Sequence, residues 1–312
     1  MSLYALFTSR GPSGFGYAST AEDVTEGLSL AGKTMRVTGC NSGLGHETLR
    51  VLALRGARVV ATARTLEKAR AACEGVTGDT LPLACELSDP ASVRACVETV
   101  KSERLKLDAI ICNAGVMALP RRELAHGVEL QFFTNHVGHF MLVTGLLDQL
   151  TEKARVVMGS SSAHRNAPRG GVRFDDLDAT KQYGPWRNYG QSKFANILFA
   201  KELARRVAGT QRTANAVHPG VINTNLSRHM PAVGRAGYSV FGAIAFKNVA
   251  QGAATQVYVA THPAVANVSG QFFVDCNVAR PRSDAEDAAT ATKLWEVTEQ
   301  LVASLPTRAH AA

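Results

Sequence analysis

The chain has 312 residues and 46% hydrophobic content, which suits one large α/β domain or two small ones with a well-packed core. No apolar run approaches the roughly 18 residues that a membrane-spanning helix needs. The net charge of +8 is dispersed along the chain, and the six cysteines form no C-x-x-C pairs, which argues against a nucleic-acid partner and against a metal site.

The two ends of the chain differ from its middle. Residues 1–30 are predicted to be a loosely held N-terminal extension, and residues 306–312 a loose tail. The start lacks a basic region followed by a long apolar stretch, so it does not resemble a secretory signal. Its lack of acidic residues before Glu22 keeps organelle targeting open. The scattered thiols favour a reducing compartment, and we expect a cytoplasmic location.

Short β-rich runs alternate with helical patterns throughout residues 31–305, which are predicted to form a single dinucleotide-binding domain. Repeated β-α units predict an α/β fold, a Rossmann-like doubly wound parallel sheet of about seven strands with helices on both faces. The predicted strands cover residues 34–38, 58–62, 80–84, 108–112, 154–159, 213–219 and 270–275. Arg36 is unusual in a first strand that should be buried, and one interpretation is that it snorkels to an edge.

A glycine-rich loop follows the first predicted strand. In TGCNSGLG, residues 38–45, Gly39, Gly43 and Gly45 stand between a strand and a helix. Glycine lets the backbone turn tightly and approach a pyrophosphate closely, and the helix that follows offers free N–H groups. This context predicts a dinucleotide-binding loop.

The end of the second strand bears on the choice of cofactor. Sites that bind NAD usually place an acidic residue here for the ribose hydroxyls, whereas an arginine accommodates a 2′-phosphate. No acid stands between Val59 and Leu66, and Arg64 is available. The sequence therefore favours NADP(H) over NAD(H).

Tyr189 and Lys193 lie one turn apart at the start of a predicted amphipathic helix. A nearby ammonium favours the phenolate, so Lys193 is expected to lower the pKa of Tyr189 toward neutrality and to make it a proton shuttle. Three serines in SSSAH follow another strand, where ligand sites of parallel sheets occur. Asn135 interrupts a helical pattern in which asparagine is a poor helix former, and this suggests a functional role.

The motifs TGCNSGLG, CNAG, TNHVGHF, VMGSSSAH and YGQSK, in this order, resemble those of the short-chain dehydrogenase/reductases. The resemblance covers about residues 30–303. The segments GPWRNYGQSK and AVHPGVINTNL look like the retinol dehydrogenase and WW-domain-containing oxidoreductase branch. The resemblance implies an oxidoreductase that interconverts a carbonyl and an alcohol by hydride transfer without a metal.

The resemblance also implies a catalytic tetrad. Tyr189 matches the general acid/base, and Lys193 matches the residue that binds the nicotinamide ribose and lowers the pKa of the tyrosine. Asn135 matches the asparagine that holds a water in the proton relay. Ser161 matches the donor to the substrate oxygen, with Ser160 as the fallback.

The implied cofactor site draws on most of the motifs. Arg64 matches the branch's 2′-phosphate arginine. Two departures are Glu86-Leu87, where the family usually has Asp-Leu, and Met158-Gly159, which replaces the commoner Asn-Val. The predicted cofactor-binding residues are Gly39, Asn41, Ser42, Gly43, Leu44, Gly45, Arg64, Glu86, Leu87, Asn113, Ala114, Gly115, Tyr189, Lys193, Pro219, Gly220, Val221 and Thr224.

Residues 225–250 are predicted to form a flap over the substrate. Apolar side chains there suggest a lipophilic aldehyde, ketone or alcohol such as a retinoid or steroid, although core or subunit packing accounts for them equally well. These side chains are Val233, Tyr238, Phe241, Ile244 and Phe246. Contact with a membrane surface stays open but unsupported, because no basic amphipathic helix is clear.

A second hypothesis is an NADP(H)-binding sensor or scaffold of the same fold without significant turnover. The intact tetrad argues against it, because a pure binder has no need of those residues. Family members are often dimers or tetramers that associate through the helices containing Asn135 and Tyr189, whereas this branch also includes monomers. A homo-oligomer is therefore one expectation.

Overall fold

The computed structural model describes residues 9–222 and 246–306, and an eight-stranded sheet runs through its centre. The strands of this sheet are β1 Thr34–Thr38, β2 Arg58–Ala63, β3 Thr80–Ala84, β4 Leu107–Cys112, β7 Leu150–Gly159, β8 Thr213–His218, β9 Phe272–Val274 and β10 Asn277–Ala279. A separate small hairpin pairs β5 Leu124–Ala125 with β6 Val128–Glu129.

The strand order is β10-β9-β8-β7-β4-β1-β2-β3, and β10 alone among these strands runs antiparallel to its neighbour. The order reverses between β1 and β4, which is the switch point where doubly wound sheets bind ligands. The α/β prediction with about seven parallel strands is confirmed, and β10 is an addition. It follows a tight turn in which Asp275 and Cys276 both have positive φ.

Helices cover both faces of the sheet. They are α1 Gly43–Leu54, α2 Leu66–Cys73, α3 Pro90–Ser102, α4 Leu130–Phe132, α5 Gly138–Gly145, α6 Pro185–Arg206, α7 Val249–Thr261 and α8 Ala288–Ser304. A π-helical turn, Phe133–Val137, joins α4 to α5. One buried apolar cluster lies between the sheet and α3, α5, α6 and α8, and a second lies under α1 and α7. No helix in the described ranges is long and apolar enough to cross a bilayer.

The C-terminal helix α8 packs against α5 and α6. Trp295 stacks on Phe199 with a centroid distance of 5.5 Å and meets Phe140 edge-on at 4.9 Å. Thr298 is 3.0 Å from the His136 ring nitrogen. Helix α8 of the same chain therefore covers part of the surface through which related oligomers were expected to associate.

Arg36 is fully buried rather than snorkelling to an edge, so the sequence interpretation was wrong. Its side chain leaves β1 toward α3, and Nη2 donates a hydrogen bond to the Cys96 sulfur at 3.0 Å. A hydrogen bond from the Cys85 thiol and the charge of Arg36 lower the pKa of Cys96, although burial opposes them. The charge of the buried Arg36 guanidinium therefore favours the thiolate form of Cys96.

The N-terminal extension is held firmly from residue 9 onward, contrary to the prediction of a loose stretch. Ala21 and Val24 are buried in the cluster under α1 and α7. The backbone of Ala21 donates to the Ala250 carbonyl at 2.9 Å, and Phe15 packs edge-on against Tyr258 at 5.6 Å. The predicted tail lies outside the described residues except for Pro306.

Candidate active site

Tyr189 and Lys193 occupy the first turns of α6, which begins at Pro185, a residue favoured at a helix start. Both side chains are almost fully buried. The Lys193 Nζ lies 5.7 Å from the centre of the Tyr189 ring and donates to the Gly159 carbonyl at 3.0 Å. Lys193 is therefore fixed between the phenol and the carboxyl end of β7.

Burial dominates the acid–base properties of this pair. It raises the pKa of Tyr189 to about 12, and a hydrogen bond with Ser161 acts in the opposite direction. Burial also lowers the pKa of Lys193 to about 8. The expectation that Lys193 makes the phenol acidic is therefore wrong for the polypeptide alone, because desolvation of the phenolate is the larger effect.

The serines after β7 divide into one buried and one accessible hydroxyl. Ser160 is buried and donates to the Lys193 backbone carbonyl at 2.8 Å. Ser161 caps a short 3₁₀ turn, Ser162–Asn166, by accepting from the Ala163 amide at 3.2 Å, and its hydroxyl is close enough to Tyr189 to affect the pKa of the phenol. Of the two candidates, Ser161 is the one placed beside the phenol.

Two histidines that the sequence analysis missed hold this serine turn. The Nδ1 of His164 is 2.6 Å from the Ser161 carbonyl, and the Nδ1 of His218 accepts from the Ser162 amide at 3.2 Å. Burial lowers the pKa of His218 to about 4, which keeps its ring neutral and able to accept. His164 follows the strand that ends at Gly159, and His218 is the last residue of β8; a position at the carboxyl end of a parallel strand was the available signal.

Asn135 lies in the π-helical turn and is fully buried. Its side-chain amide donates to the Val116 carbonyl and the Ser192 hydroxyl, both at 2.9 Å, and its side-chain oxygen accepts from the Val116 amide at 2.8 Å. The Asn135 carbonyl is 2.9 Å from the Nδ1 of His139. The side chain thus anchors the chain after β4.

The glycine-rich loop approaches the chain after β4 closely. A Cβ on Gly45 would lie 2.1 Å from the Gly39 carbonyl oxygen and 2.6 Å from the Asn113 side-chain nitrogen, so no larger residue fits. Gly39 has a φ of +73°, which favours glycine. The Thr38 hydroxyl accepts from the amides of Asn113 and Ala114 at 2.9 and 3.0 Å, which joins the two loops.

A cleft of about 500 Å³ lies along this loop. Arg64 stands exposed at its edge after β2, and Glu86 accepts hydrogen bonds from the amide and hydroxyl of Ser88 at 3.1 and 2.9 Å. The predicted cofactor residues that line the cleft are Gly39, Asn41, Ser42, Gly43, Leu44, Gly45, Arg64, Glu86, Leu87, Asn113, Ala114 and Gly115.

A second cavity of about 670 Å³ continues from the cleft past Gly115. Its lining contains the predicted residues Ser161, Tyr189, Lys193, Pro219, Gly220 and Val221. Sequence reasoning missed the lining residues Met117, Arg165, Asn166, Trp186, His218 and Gln256. Thr224 and most of the predicted flap lie outside the described residues, although Phe246 lines the cavity.

Comparison with known proteins agrees with this geometry. A family model for short chain dehydrogenases matches residues 33–173. The chain is 40% identical to the short-chain dehydrogenase TIC 32 B, chloroplastic, from Brassica napus, over 98% of this chain and all of that protein. It is 40% identical to retinol dehydrogenase 12 from Mus musculus over 89% of each chain.

Solved structures share the fold. An uncharacterized protein from Mycobacterium Paratuberculosis has a TM-score of 0.74 and 35% identity, and the match covers 92% of this chain and 98% of that one. A short chain dehydrogenase from Burkholderia cenocepacia J2315, solved in complex with NADP, has a TM-score of 0.62 and 24% identity, and the match covers 78% and 96%.

Proposed function

Because the chain belongs to the short-chain dehydrogenase/reductase family, in its retinol dehydrogenase-like branch, and is an oxidoreductase of CH–OH and C=O groups, we propose that Tyr189 is its general acid/base. The observation that carries this proposal is that Tyr189, Ser161 and Lys193 line one cavity, with the Lys193 Nζ 5.7 Å from the centre of the Tyr189 ring. A buried phenol beside a hydroxyl and an ammonium can bind one oxygen atom and deliver a proton to it.

The residues present fit a dinucleotide cofactor. The lack of space for a Cβ at Gly45, and the left-handed backbone of Gly39, suit a loop that lies directly under a pyrophosphate. The amides at the start of α1 would hold that group, and Lys193 would hold the ribose next to the nicotinamide. Bound there, the cofactor supplies hydride transfer to or from the substrate carbon.

Arg64 supports a preference for NADP(H). It is exposed at the edge of the cleft and follows a strand whose carboxyl end carries no acid. A guanidinium recognises a phosphate through charge-assisted, bidentate hydrogen bonds, whereas an acid here would bind ribose hydroxyls and repel a phosphate.

The protonation states suit carbonyl reduction. With its pKa near 12, Tyr189 carries its proton at neutral pH and can donate it to an oxygen that gains negative charge. The Ser161 hydroxyl would donate a second hydrogen bond to the same oxygen. Lys193, whose pKa is about 8, stays mostly protonated at pH 7 and would stabilise the phenolate left behind.

The cavity favours a lipophilic substrate. Its volume is in the range of pockets that bury small organic ligands. Trp186 and Val221 expose 48% and 46% of their surfaces, and both line the cavity together with Met117. Exposed large apolar side chains around a few polar groups are typical of a site for an apolar aldehyde, ketone or alcohol.

We propose the cytoplasm as the location of the protein, and subcellular fractionation would test it.

The proposal is tested by following NADPH and NADH oxidation with a panel of aldehydes and ketones that runs from small to bulky and apolar. We expect turnover with NADPH and better kcat/KM for the bulky carbonyls. Tyr189→Phe should lower kcat by roughly 10²- to 10⁴-fold, the range for loss of a general acid, while NADPH still binds. NADPH binding without turnover by the unaltered protein would instead indicate a sensor or scaffold.

A further inference from the structure

Lys247 is a fully buried cation that the proposed chemistry does not use. Its Nζ forms an ion pair with the Asp275 carboxylate at 2.5 Å and lies 5.0 Å from the centre of the Tyr17 ring. The lysine side chain is 0% exposed and that of Asp275 is 30% exposed. A buried charge is retained only when nearby groups compensate its lost hydration, and here an acid and an aromatic face do so.

The side chain of Lys247 lies directly against the cavity wall. A Cβ on Gly220 would lie 2.7 Å from the lysine Cδ, and Gly220 has a φ of +94°. The Lys247 amide donates to the Val221 carbonyl at 2.9 Å, and Ile222 pairs with Lys247 in a parallel bridge. The position of the Pro219–Val221 backbone therefore depends on where Lys247 is held.

The N-terminal extension contributes to this arrangement. Tyr17 contacts Lys247, and the carbonyl of the next residue, Ala18, accepts a hydrogen bond from the Gln251 side chain at 3.2 Å. Asn277 accepts from the Ser13 amide at 3.0 Å and donates to the Asp275 carbonyl at 2.7 Å. The extension thus bonds both to the start of α7 and to the turn that carries Asp275.

We propose that Lys247, held between Asp275 and Tyr17, is a positioning residue that fixes Pro219–Val221 for cofactor binding, and that the N-terminal extension thereby forms part of the support of the active site. This inference rests on the proposed function for its effect on the nucleotide. Tyr17 lines neither the cleft nor the second cavity and acts through the lysine.

The experiment compares Tyr17→Leu, Tyr17→Phe and Lys247→Met with the unaltered protein. Phe15→Leu is the matched control, because Phe15 lies in the same extension but packs on Tyr258 and His262. The measurements are the Kd of NADPH from its fluorescence, KM against kcat, the Tm, and hydrogen exchange of peptides covering residues 216–222 and 246–252.

Tyr17→Leu and Lys247→Met should weaken NADPH binding roughly 5- to 30-fold, as expected for loss of a desolvated cation–aromatic contact, and should change kcat much less than KM. Tyr17→Phe keeps the aromatic ring and should retain most of the affinity for NADPH. Exchange in the two peptides should be faster in Tyr17→Leu than in Phe15→Leu. Phe15→Leu should lower the Tm and leave the Kd near that of the unaltered protein.

Equal effects of Tyr17→Leu and Phe15→Leu on Tm, Kd and exchange would overturn the proposal, since the extension would then stabilise the fold without specifically positioning residues 219–221. An unchanged Kd and unchanged exchange in Lys247→Met would overturn it as well. If the unaltered protein binds neither NADPH nor NADH, the proposed function fails. The comparison of hydrogen exchange between the variants still decides whether Lys247 fixes the Pro219–Val221 backbone.

Discussion

Replacing Cys96 by alanine is expected to destabilise the protein strongly, because it removes the partner of a fully buried arginine. Unit charges 3.0 Å apart attract by about 5 kcal/mol at an effective dielectric constant near 20. Desolvation of the thiolate offsets part of this attraction, and breaking a buried pair typically costs about 3–5 kcal/mol. We therefore expect a loss of about 3 kcal/mol, or a fall in Tm of roughly 5 °C for a chain of 312 residues.

Thermal unfolding followed by circular dichroism measures this loss, and two further variants isolate the charge. Cys85→Ala removes the thiol whose hydrogen bond helps to lower the pKa of Cys96, so it should cost part, and not all, of the stability that Cys96→Ala costs. Arg36→Met in the Cys96→Ala background should recover much of the stability, since no buried charge remains. A Cys96→Ala protein as stable as Cys85→Ala, or an Arg36→Met change that does not rescue it, would refute a buried thiolate–guanidinium pair.

The pair also predicts how stability depends on pH. The pKa of Cys96 is lower in the folded chain than in the unfolded chain, where a thiol titrates near about 8.5. Its contribution is therefore complete above about 8.5 and is lost as the pH falls through the lowered folded value. The Tm difference between the unaltered protein and Cys96→Ala should shrink on acidification, and a constant difference would argue against an ionised Cys96.

Three other outcomes follow from the site and the surface. Ser161→Ala should lower kcat by roughly 10²- to 10³-fold, whereas Ser160→Ala loses the bond to the Lys193 carbonyl and should mainly cost about 1 kcal/mol of stability. Steady-state kinetics and melting curves distinguish the two effects. Similar losses of kcat in the two variants would contradict the assignment of Ser161. Arg64→Leu should raise the KM for NADPH roughly 10- to 100-fold, the value of a charge-assisted hydrogen bond, and leave the KM for NADH nearly unchanged; a parallel rise would exclude phosphate recognition. Light scattering should give a monomer near 33.2 kDa, because α8 covers part of the surface through which related proteins were expected to associate. A stable dimer would show that the protein associates through another surface.

Local pattern was enough to predict the parallel strands and the loop glycines. Continuous apolar runs are typical of strands buried on both faces, and glycines placed between a strand and a helix are typical of a phosphate-binding turn. Strand β10 was missed because its turn uses Asp275 and Cys276 at positive φ, where glycine or asparagine is the usual signal. Its three residues carry no periodicity of their own.

The parts of the site that depend on tertiary contacts could not be predicted. Nothing local to Arg36 indicates that Cys96, which is distant in sequence, lies against it. The pKa of Tyr189 depends on how deeply α6 is buried, and helical spacing reports only that Lys193 is near. The firm seating of the extension rests on contacts such as Tyr17 with Lys247, which join residues 230 positions apart in the numbering.

Helix α8 also bears on how the protein can be completed during synthesis. Phe140 and Phe199 are covered by Trp295, which is translated after all of the candidate catalytic residues. Until then, the helix that carries Tyr189 presents an uncovered aromatic surface. A premature stop before residue 288 would therefore yield a chain with every candidate catalytic residue in place but with that surface exposed, a substrate for chaperones and proteases rather than a working enzyme.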